Sequence, residues 1–131
     1  MKNYISLFNL IHQVNDYSAY AIESVCPDYK VVHILYLIAH DHLNQKTLAK
    51  KLGMTEPALS MKLRLLENDQ LIEKIRSKKD KRHYDLVLTK KGEDMLNQND
   101  EVISAKAEEL LSVLSHDECL QLEAILSKLE H

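Results

Sequence analysis

The sequence predicts a mainly helical α+β fold in which a series of helices is interrupted by one short β-hairpin. Apolar residues recur at spacings of three and four over most of the 131 residues, which is the periodicity of an amphipathic helix. Between residues 71 and 89 the period changes to two, which indicates two strands. With two Gly and two Pro, the chain has little material for long loops. We therefore expect one domain of helices with short connections.

The first two helices differ in how much of their surface is apolar. Residues 3–25 place Leu7, Ile11 and Val14 on one stripe, and Pro27 ends this helix because its ring is not tolerated in a helix interior. The second helix, about 28–41, is apolar on almost every side. This pattern is typical of a central helix that is buried on most of its faces.

Two short helices follow, and a three-residue turn separates them. Asn44 is a favourable N-cap for the first of them, and Gly53 can adopt the left-handed conformation that ends it. Thr55 can cap the second helix, in which the spacing of Leu59 and Leu63 predicts an inward face. This order of elements describes a helix-turn-helix.

The segment after the helix-turn-helix predicts a hairpin with a basic tip. Residues 71–76 and 83–89 have the pattern of strands, and the connecting SKKDK is too polar for a core. A helix-turn-helix followed by a two-stranded hairpin is a winged helix. Thr89 can cap a long helix, about 90–113, and SHDE at 115–118 is a capping box that begins a last helix to about 130.

Charge is divided unevenly along the chain. Residues 44–91 hold 13 Lys and Arg against 6 Asp and Glu, a net charge of +7, whereas the rest of the chain has a net charge of −10. This division favours a polyanion as the partner of the middle segment. A solvated charged surface is the alternative explanation for any single run of these charges.

Several classes of protein are not favoured by the sequence. Its longest apolar run is about half of a membrane span, no secretory signal is recognisable, and Cys26 and Cys119 are too few for a disulfide framework. We therefore expect a cytoplasmic protein with no membrane segment. Because the chain has no glycine-rich phosphate loop, no Ser/His/Asp arrangement near a tight turn and no carboxylate pair with an evident pocket, we expect neither an enzyme nor a bound cofactor.

The chain resembles the MarR family of bacterial transcription regulators over nearly its whole length. The resemblance lies in the order of the elements and in three segments: LAKKLGMTEPALSMKLRLLE, DKR at 80–82 and LTKKG at 88–92. Gln70 departs from it, since members often have Gly there, and so does Pro57, which is unusual early in the second helix of the motif. The resemblance implies a single MarR-like domain, 1–131, in which 28–89 form a DNA-binding lobe and 1–26 and 90–131 form dimerisation helices.

The second helix of the motif is the element that we expect to read the major groove, because a helix fills that groove. Arg64 and Lys62 face away from the leucines and are the candidates for contact with guanine or phosphate. We expect the lysines of the wing to lie along the backbone. The predicted DNA-binding residues are Thr47, Lys51, Thr55, Ser60, Lys62, Arg64, Lys78, Lys79, Lys81 and Arg82.

The resemblance adds roles for two residues of the wing. It implies that Arg82 enters the minor groove and that Asp80 braces the wing by pairing with an arginine. An aspartate in contact with DNA would be repelled, which also favours a structural role for Asp80. One winged helix covers little DNA, so we expect a homodimer on a pseudo-palindromic operator of double-stranded DNA. The alternative is a winged helix that binds another protein.

The resemblance further implies a repressor that releases DNA when an effector alters the angle between its two lobes. The effector pocket is expected where the first, second and fifth helices meet the DNA-binding lobe, although tyrosine can also fill the edges of a core. The candidate pocket residues are Tyr17, Tyr20, Cys26, Tyr29, His33 and Tyr36.

Cys26 and His33 suggest two further kinds of sensing. Cys26 precedes Pro27 at the start of the second helix, where the helix dipole would lower the pKa of a thiol, so a redox sensor is an alternative; Cys119 has the pattern of a core residue. His33 resembles a histidine of zinc-sensing relatives. Their partner histidines lie in the fifth helix, where this chain has no His between 90 and 113, so we expect no metal site.

Overall fold

A computed structural model of the chain describes residues 4–41, 44–80, 82 and 84–130. These residues form six helices and one two-stranded antiparallel sheet, which confirms the predicted α+β winged helix-turn-helix architecture. The order is α1 (Tyr4–Val25), α2 (Tyr29–Asp41), α3 (Gln45–Lys51), α4 (Glu56–Asn68), β1 (Ile72–Arg76), β2 (Tyr84–Leu88), α5 (Lys90–Leu111) and α6 (His116–Leu129).

The described residues divide into two compact units. Lys30–Asn99 form the winged-helix unit, and the residues up to Tyr29 together with those from Asp100 onward form the terminal-helix unit. The winged-helix unit ends at Asn99, beyond residue 89 where the sequence ended the DNA-binding lobe, because it includes the beginning of α5. None of the helices in the described ranges combines the length and apolar character needed to cross a bilayer.

The winged-helix unit has an apolar core supplied mainly by α2, α3 and α4. Leu35, Leu59 and Leu63 are 0% exposed, and Leu48 of α3 is 1% exposed. Leu59 and Leu63 are the residues that the sequence placed on the inward face of α4. Burying a leucine completely stabilises a fold by roughly 1.5–3 kcal/mol relative to leaving it exposed, so these side chains hold α4 firmly against the unit.

The ends of α3 and α4 are capped as the sequence predicted. Asn44 Oδ1 accepts a hydrogen bond of 2.8 Å from Thr47 N, and Thr55 Oγ1 accepts one of 3.2 Å from Ala58 N. Gly53, in the turn between the helices, has φ +64°, a conformation that costs glycine little. The side-chain caps satisfy backbone donors that a helix start otherwise leaves unpaired.

The wing is a hairpin whose register is fixed over five residue pairs. Ile72 pairs with Leu88 at its base, and Arg76 pairs with Tyr84 at the end nearest the tip. Ile72 is buried, whereas Leu86 and Leu88 are half-buried and pack against the core. The base of the hairpin therefore belongs to the core, and its tip extends away from it.

A junction of four hydrogen bonds joins α4 to the wing and to α5. Thr89 N donates to Leu71 O at 3.1 Å, and Thr89 Oγ1 donates to Gln70 O at 2.6 Å while accepting from Gly92 N at 3.0 Å. Lys91 Nζ donates to Asp69 O at 2.8 Å. These bonds satisfy carbonyls that follow the C-terminal end of α4 and fix that end relative to both strands.

Gly92 is required at this junction because the backbone approaches it closely. A Cβ atom at this position would lie 2.1 Å from Leu71 O, well inside van der Waals contact. Gln70, by contrast, has φ +62°, the left-handed conformation that a glycine adopts without strain. This conformation explains why Gly suits the position where Gln70 departs from the family pattern.

The terminal-helix unit buries little of its apolar surface. Within the described residues, α1 buries only Ala21 and Ile22, and α6 has no buried residue. Large apolar side chains on these helices are exposed, among them Ile5 at 81%, Phe8 at 62% and Ile125 at 56%. Cys119, expected in a core, is only half-buried, since α6 has few neighbours within one chain.

Candidate nucleic-acid interface

The candidate interface begins with the outward face of α4. Thr55 and Arg64 are exposed, whereas Lys62 is half-buried because it lies at the border of the face that carries Leu59 and Leu66. The guanidinium of Arg64 is thus accessible to a ligand that lies along the helix. Its planar set of donors suits the two acceptors of a guanine edge or the oxygens of a phosphate.

Ser60 has a structural partner that the sequence did not reveal. Gln45 Nε2 of α3 donates to Ser60 Oγ, so the two helices of the motif are joined by a side-chain bond as well as by their leucines. The hydroxyl remains able to donate its own proton. A contact between Ser60 and phosphate, as predicted, would therefore add to this bond rather than replace it.

The two predicted DNA-binding residues of α3 both have contacts within the chain. Lys51 Nζ lies 3.2 Å from Asp41 Oδ2 of α2, so a phosphate would compete with this carboxylate for the ammonium group. Thr47 is half-buried, and its backbone N–H is bonded to Asn44. Their contacts with DNA stay predictions, and we give both a supporting role.

The wing tip is shaped by a serine that the sequence analysis did not single out. Ser77 Oγ accepts from Lys79 N at 3.3 Å and from Asp80 N at 3.4 Å, which closes a turn at the end of β1. Lys78 and Lys79 are exposed on this turn. Lys81, also predicted to bind DNA, lies outside the described residues.

Asp80 and Arg82 form a pair at the tip. Asp80 Oδ1 accepts from Arg82 N at 3.0 Å and from Arg82 Nε at 3.2 Å, while Oδ2 accepts from Arg82 Nη2 at 3.3 Å. The Arg82 side chain is 86% exposed. Such an exposed pair contributes only about 0–1 kcal/mol to stability, so its main effect is on the direction of the guanidinium.

Arg76 and Tyr84 form a second pair, at the last rung of the hairpin. Arg76 Nη2 donates to Tyr84 Oη at 3.1 Å, and the guanidinium carbon lies 5.5 Å from the centre of the ring. This pair depends on the register of the hairpin, which the sequence does not specify. Lys74 and Glu67, 3.5 Å apart, similarly connect β1 to α4. The first contact joins the two strands near the tip, and the second joins the wing to α4.

The outward face of α4 also carries apolar residues that the sequence analysis overlooked. Met61 is 67% exposed and Leu65 is 60% exposed. A helical projection of the sequence could have found them, because both fall opposite the stripe of Leu59 and Leu63. They lie among the cations of the candidate interface.

The residues proposed for an effector pocket have different environments. Tyr17, Tyr20 and Tyr36 are 63%, 75% and 49% exposed, and the Tyr36 ring contacts that of His40 at 4.3 Å between centroids. Burial raises the pKa of Tyr29 and lowers that of His33. Two cavities of the winged-helix unit are lined by none of the six candidates.

The thiol of Cys26 does not have the lowered pKa that its position suggested. Cys26 is 2% exposed, and burial raises the pKa of its thiol. A backbone hydrogen bond from Asp28 acts in the opposite direction, as expected at a helix start, but desolvation outweighs it. The expectation of a lowered pKa was wrong because the sequence does not show how deeply this residue is buried.

The described potential metal ligands are dispersed over the chain. Within the described ranges, no three His, Cys, Asp or Glu side chains lie close enough together to hold a metal ion. His33, the residue that resembles a zinc ligand of relatives, has a pKa lowered by burial.

The chain is similar to known proteins both in sequence and in structure. The MarR family model matches residues 27–84. A MepR–DNA complex from S. aureus is 31% identical, with 98% of this chain and 96% of that chain covered and a TM-score of 0.67. A cysteine-to-serine variant of MarR from E. coli, complexed with operator DNA, is 26% identical, with 95% and 94% covered and a TM-score of 0.79.

A third structure extends the likeness in fold alone. AbsC, a MarR family transcriptional regulator from Streptomyces coelicolor, is 16% identical, with 98% of this chain and 93% of that chain covered and a TM-score of 0.80. The matches extend over nearly the full length of both partners, including the terminal helices as well as the winged helix. The chain therefore belongs to the MarR family of winged-helix transcription regulators.

Proposed function

We propose that the protein is a sequence-specific regulator that binds double-stranded DNA as a homodimer and represses transcription. The observation that carries this proposal is the junction that holds α4 and the basic wing in one unit. Thr89 and Lys91 bond the carbonyls of Gln70 and Asp69, so an outward helix and a basic hairpin keep a fixed relation. Similar structures of MarR and MepR contain DNA, which supports the same ligand here.

We assign the predicted residues of α4 to the major groove and those of the wing to the phosphate backbone and the minor groove. Arg64 and Lys62 on α4 contact base edges or phosphates in the major groove, and Thr55 and Ser60 contact phosphate. Lys78, Lys79 and Lys81 lie along the backbone. Arg82, oriented by Asp80, enters the minor groove, where a narrow groove concentrates negative potential.

A homodimer is part of the proposal because of the terminal-helix unit. Exposed Phe8 of α1 and Ile125 of α6 represent an apolar surface that a second copy of the chain can cover. Two winged-helix units related by a two-fold axis read two half-sites about 10 base pairs apart, so the operator is a pseudo-palindrome.

The proposal is tested by selecting bound sequences from random duplexes and measuring affinity against salt. Each phosphate contact contributes about −0.9 to the slope of log K against log salt, so we expect the affinity of the wild type to fall steeply as salt rises. For Arg82→Ala the magnitude of this slope should be smaller by about 1. Arg64→Ala should also relax the base preference. If both variants bind as the wild type does, the assignment of the interface to these residues is wrong; if no duplex is selected, the alternative of a winged helix that binds a protein is favoured.

Release by an effector is proposed from the family relationship, and aromatic acids are the ligands to test because of the exposed tyrosines. Redox release through Cys26 is less favoured, because a buried thiol with a raised pKa forms little thiolate at neutral pH. Alkylation of Cys26 should accelerate only as pH rises above the ordinary thiol range. Rapid alkylation at pH 7, together with loss of DNA binding in peroxide, would restore the redox alternative.

A further inference from the structure

An apolar ridge lies on the outward face of α4. Met61 is 67% exposed and Leu65 is 60% exposed, and Pro57, four residues before Met61, is exposed as well. Residues four apart in a helix lie on the same face, so these three form one ridge. The core face of α4 is elsewhere, since Leu59 and Leu63 are 0% exposed. The fold of the described chain thus leaves this ridge available to a ligand.

We propose that Met61, assisted by Leu65, recognises thymine by contact with its 5-methyl group in the major groove. This inference rests on the proposed function, because it needs α4 in that groove. Among the base edges of the major groove, the thymine methyl is the apolar feature that such side chains can contact. The flexible thioether of methionine adapts well to a small apolar group.

The surroundings of the ridge favour DNA over an apolar protein partner. Arg64 follows Met61 by three residues and Lys62 is adjacent to it, so cations flank the ridge on α4. The segment 44–91, which contains the ridge, has a net charge of +7. A polyanion with embedded methyl groups matches this combination, whereas a purely apolar surface would leave the cations desolvated.

Met61 has a larger role than Leu65 because it lies nearer the beginning of α4. It is the sixth residue of a helix that begins at Glu56, and the N-terminal residues of a recognition helix contact base edges. Leu65 lies about 6 Å further along the axis, which corresponds to roughly two base-pair steps of about 3.4 Å. The half-site should therefore contain one thymine that depends on Met61 and a second that depends weakly on Leu65.

The test replaces thymine by deoxyuridine, one position at a time, in the selected duplex. This exchange removes only the methyl group and keeps every hydrogen-bonding group of the base. For the wild type we expect one replacement to weaken binding about fourfold, the fold-change that corresponds to the ~0.8 kcal/mol of one buried apolar carbon. For Met61→Ala the same replacement should have no effect, and Met61→Gln should behave in the same way.

Lys62→Ala is the matched control on α4. This variant should lose the same factor in affinity for the thymine duplex and for the deoxyuridine duplex, because it removes a charge and leaves the methyl contact intact. The fourfold ratio between the two affinities should therefore stay. If the wild type binds every deoxyuridine duplex as tightly as the parent, or if Met61→Ala keeps the ratio, the methyl contact is refuted while DNA binding stands. If no duplex is bound, the proposed function fails with it.

Discussion

The winged-helix unit and the terminal-helix unit differ in how much of their apolar surface is buried within one chain. The first buries Leu35, Leu59 and Leu63 fully, whereas the second leaves Phe8 and Ile125 more than half exposed. Both units are helical, and both have apolar residues at helical spacing. The same helical spacing of apolar residues forms an internal core in the winged-helix unit and an exposed apolar surface in the terminal-helix unit, which we propose is covered by a second copy of the chain.

Leu63→Ala should produce the largest effect, since it removes a side chain that is 0% exposed. We expect a loss of about 2–5 kcal/mol in the free energy of unfolding, from lost burial and the cavity left behind. Met61→Ala, two residues earlier on the exposed face, should change it by less than about 0.5 kcal/mol. Urea denaturation followed by circular dichroism measures both, and equal losses would contradict the assignment of the two faces of α4.

Ile125→Lys/Leu129→Lys should disrupt the proposed dimer. These two residues share one face of α6 and are 56% and 57% exposed in the single chain. Burying an unpaired charge costs about 3–5 kcal/mol, so the dissociation constant of the dimer should rise at least about a hundredfold. Sedimentation velocity measures the assembly state.

The matched control for that pair is Glu123→Gln/Ser127→Lys, which adds the same charge on exposed positions of α6. It should leave the assembly state unchanged. If neither variant changes the sedimentation coefficient, the apolar surface of the terminal-helix unit does not bind a second copy. The difference in burial between the two units would then need another explanation.

Gly92→Ala should weaken the junction in the winged-helix unit. The added Cβ would lie 2.1 Å from Leu71 O, so the backbone between α4 and β1 must move. Overpacking of this kind costs about 1–3 kcal/mol. Gly53→Ala meets no atom within 4 Å and suffers only from its positive φ, so we expect a loss of about 1 kcal/mol. Thermal unfolding of the two variants distinguishes a clash from a conformational penalty.

Asp80→Ala should weaken DNA binding even though it removes a negative charge. Without its bonds to Asp80, Arg82 loses a fixed direction, and we expect about threefold weaker binding from this loss of order, equivalent to roughly 0.7 kcal/mol. Asp85→Ala on β2 removes the same charge without touching that pair and should strengthen binding slightly. Fluorescence anisotropy on the selected duplex measures both, and tighter binding by Asp80→Ala would favour simple charge counting.

The sequence predicted those parts of the structure that depend on near neighbours. The caps by Asn44 and Thr55 span three residues each, and the sequence predicted them correctly. The bonds from Thr89 to Gln70 and from Lys91 to Asp69 join residues 19 and 22 positions apart, and no local pattern specifies them. The burial of Cys26 is likewise a tertiary property, which is why the direction of its pKa shift was wrong.

Gln70→Gly should have the smallest effect on stability. Its sign shows whether the strain of the Gln70 backbone or the contribution of its side chain is larger. Gln70 has φ +62°, which costs an L-residue about 1–2 kcal/mol, and glycine avoids this cost but loses more entropy on folding. We expect the free energy of unfolding to rise by about 0.5 kcal/mol, measured by urea denaturation. The carbonyl of Gln70 accepts from Thr89 in either case, so DNA affinity should not change. A fall in stability would mean that the Gln70 side chain makes a contribution larger than the strain of its backbone.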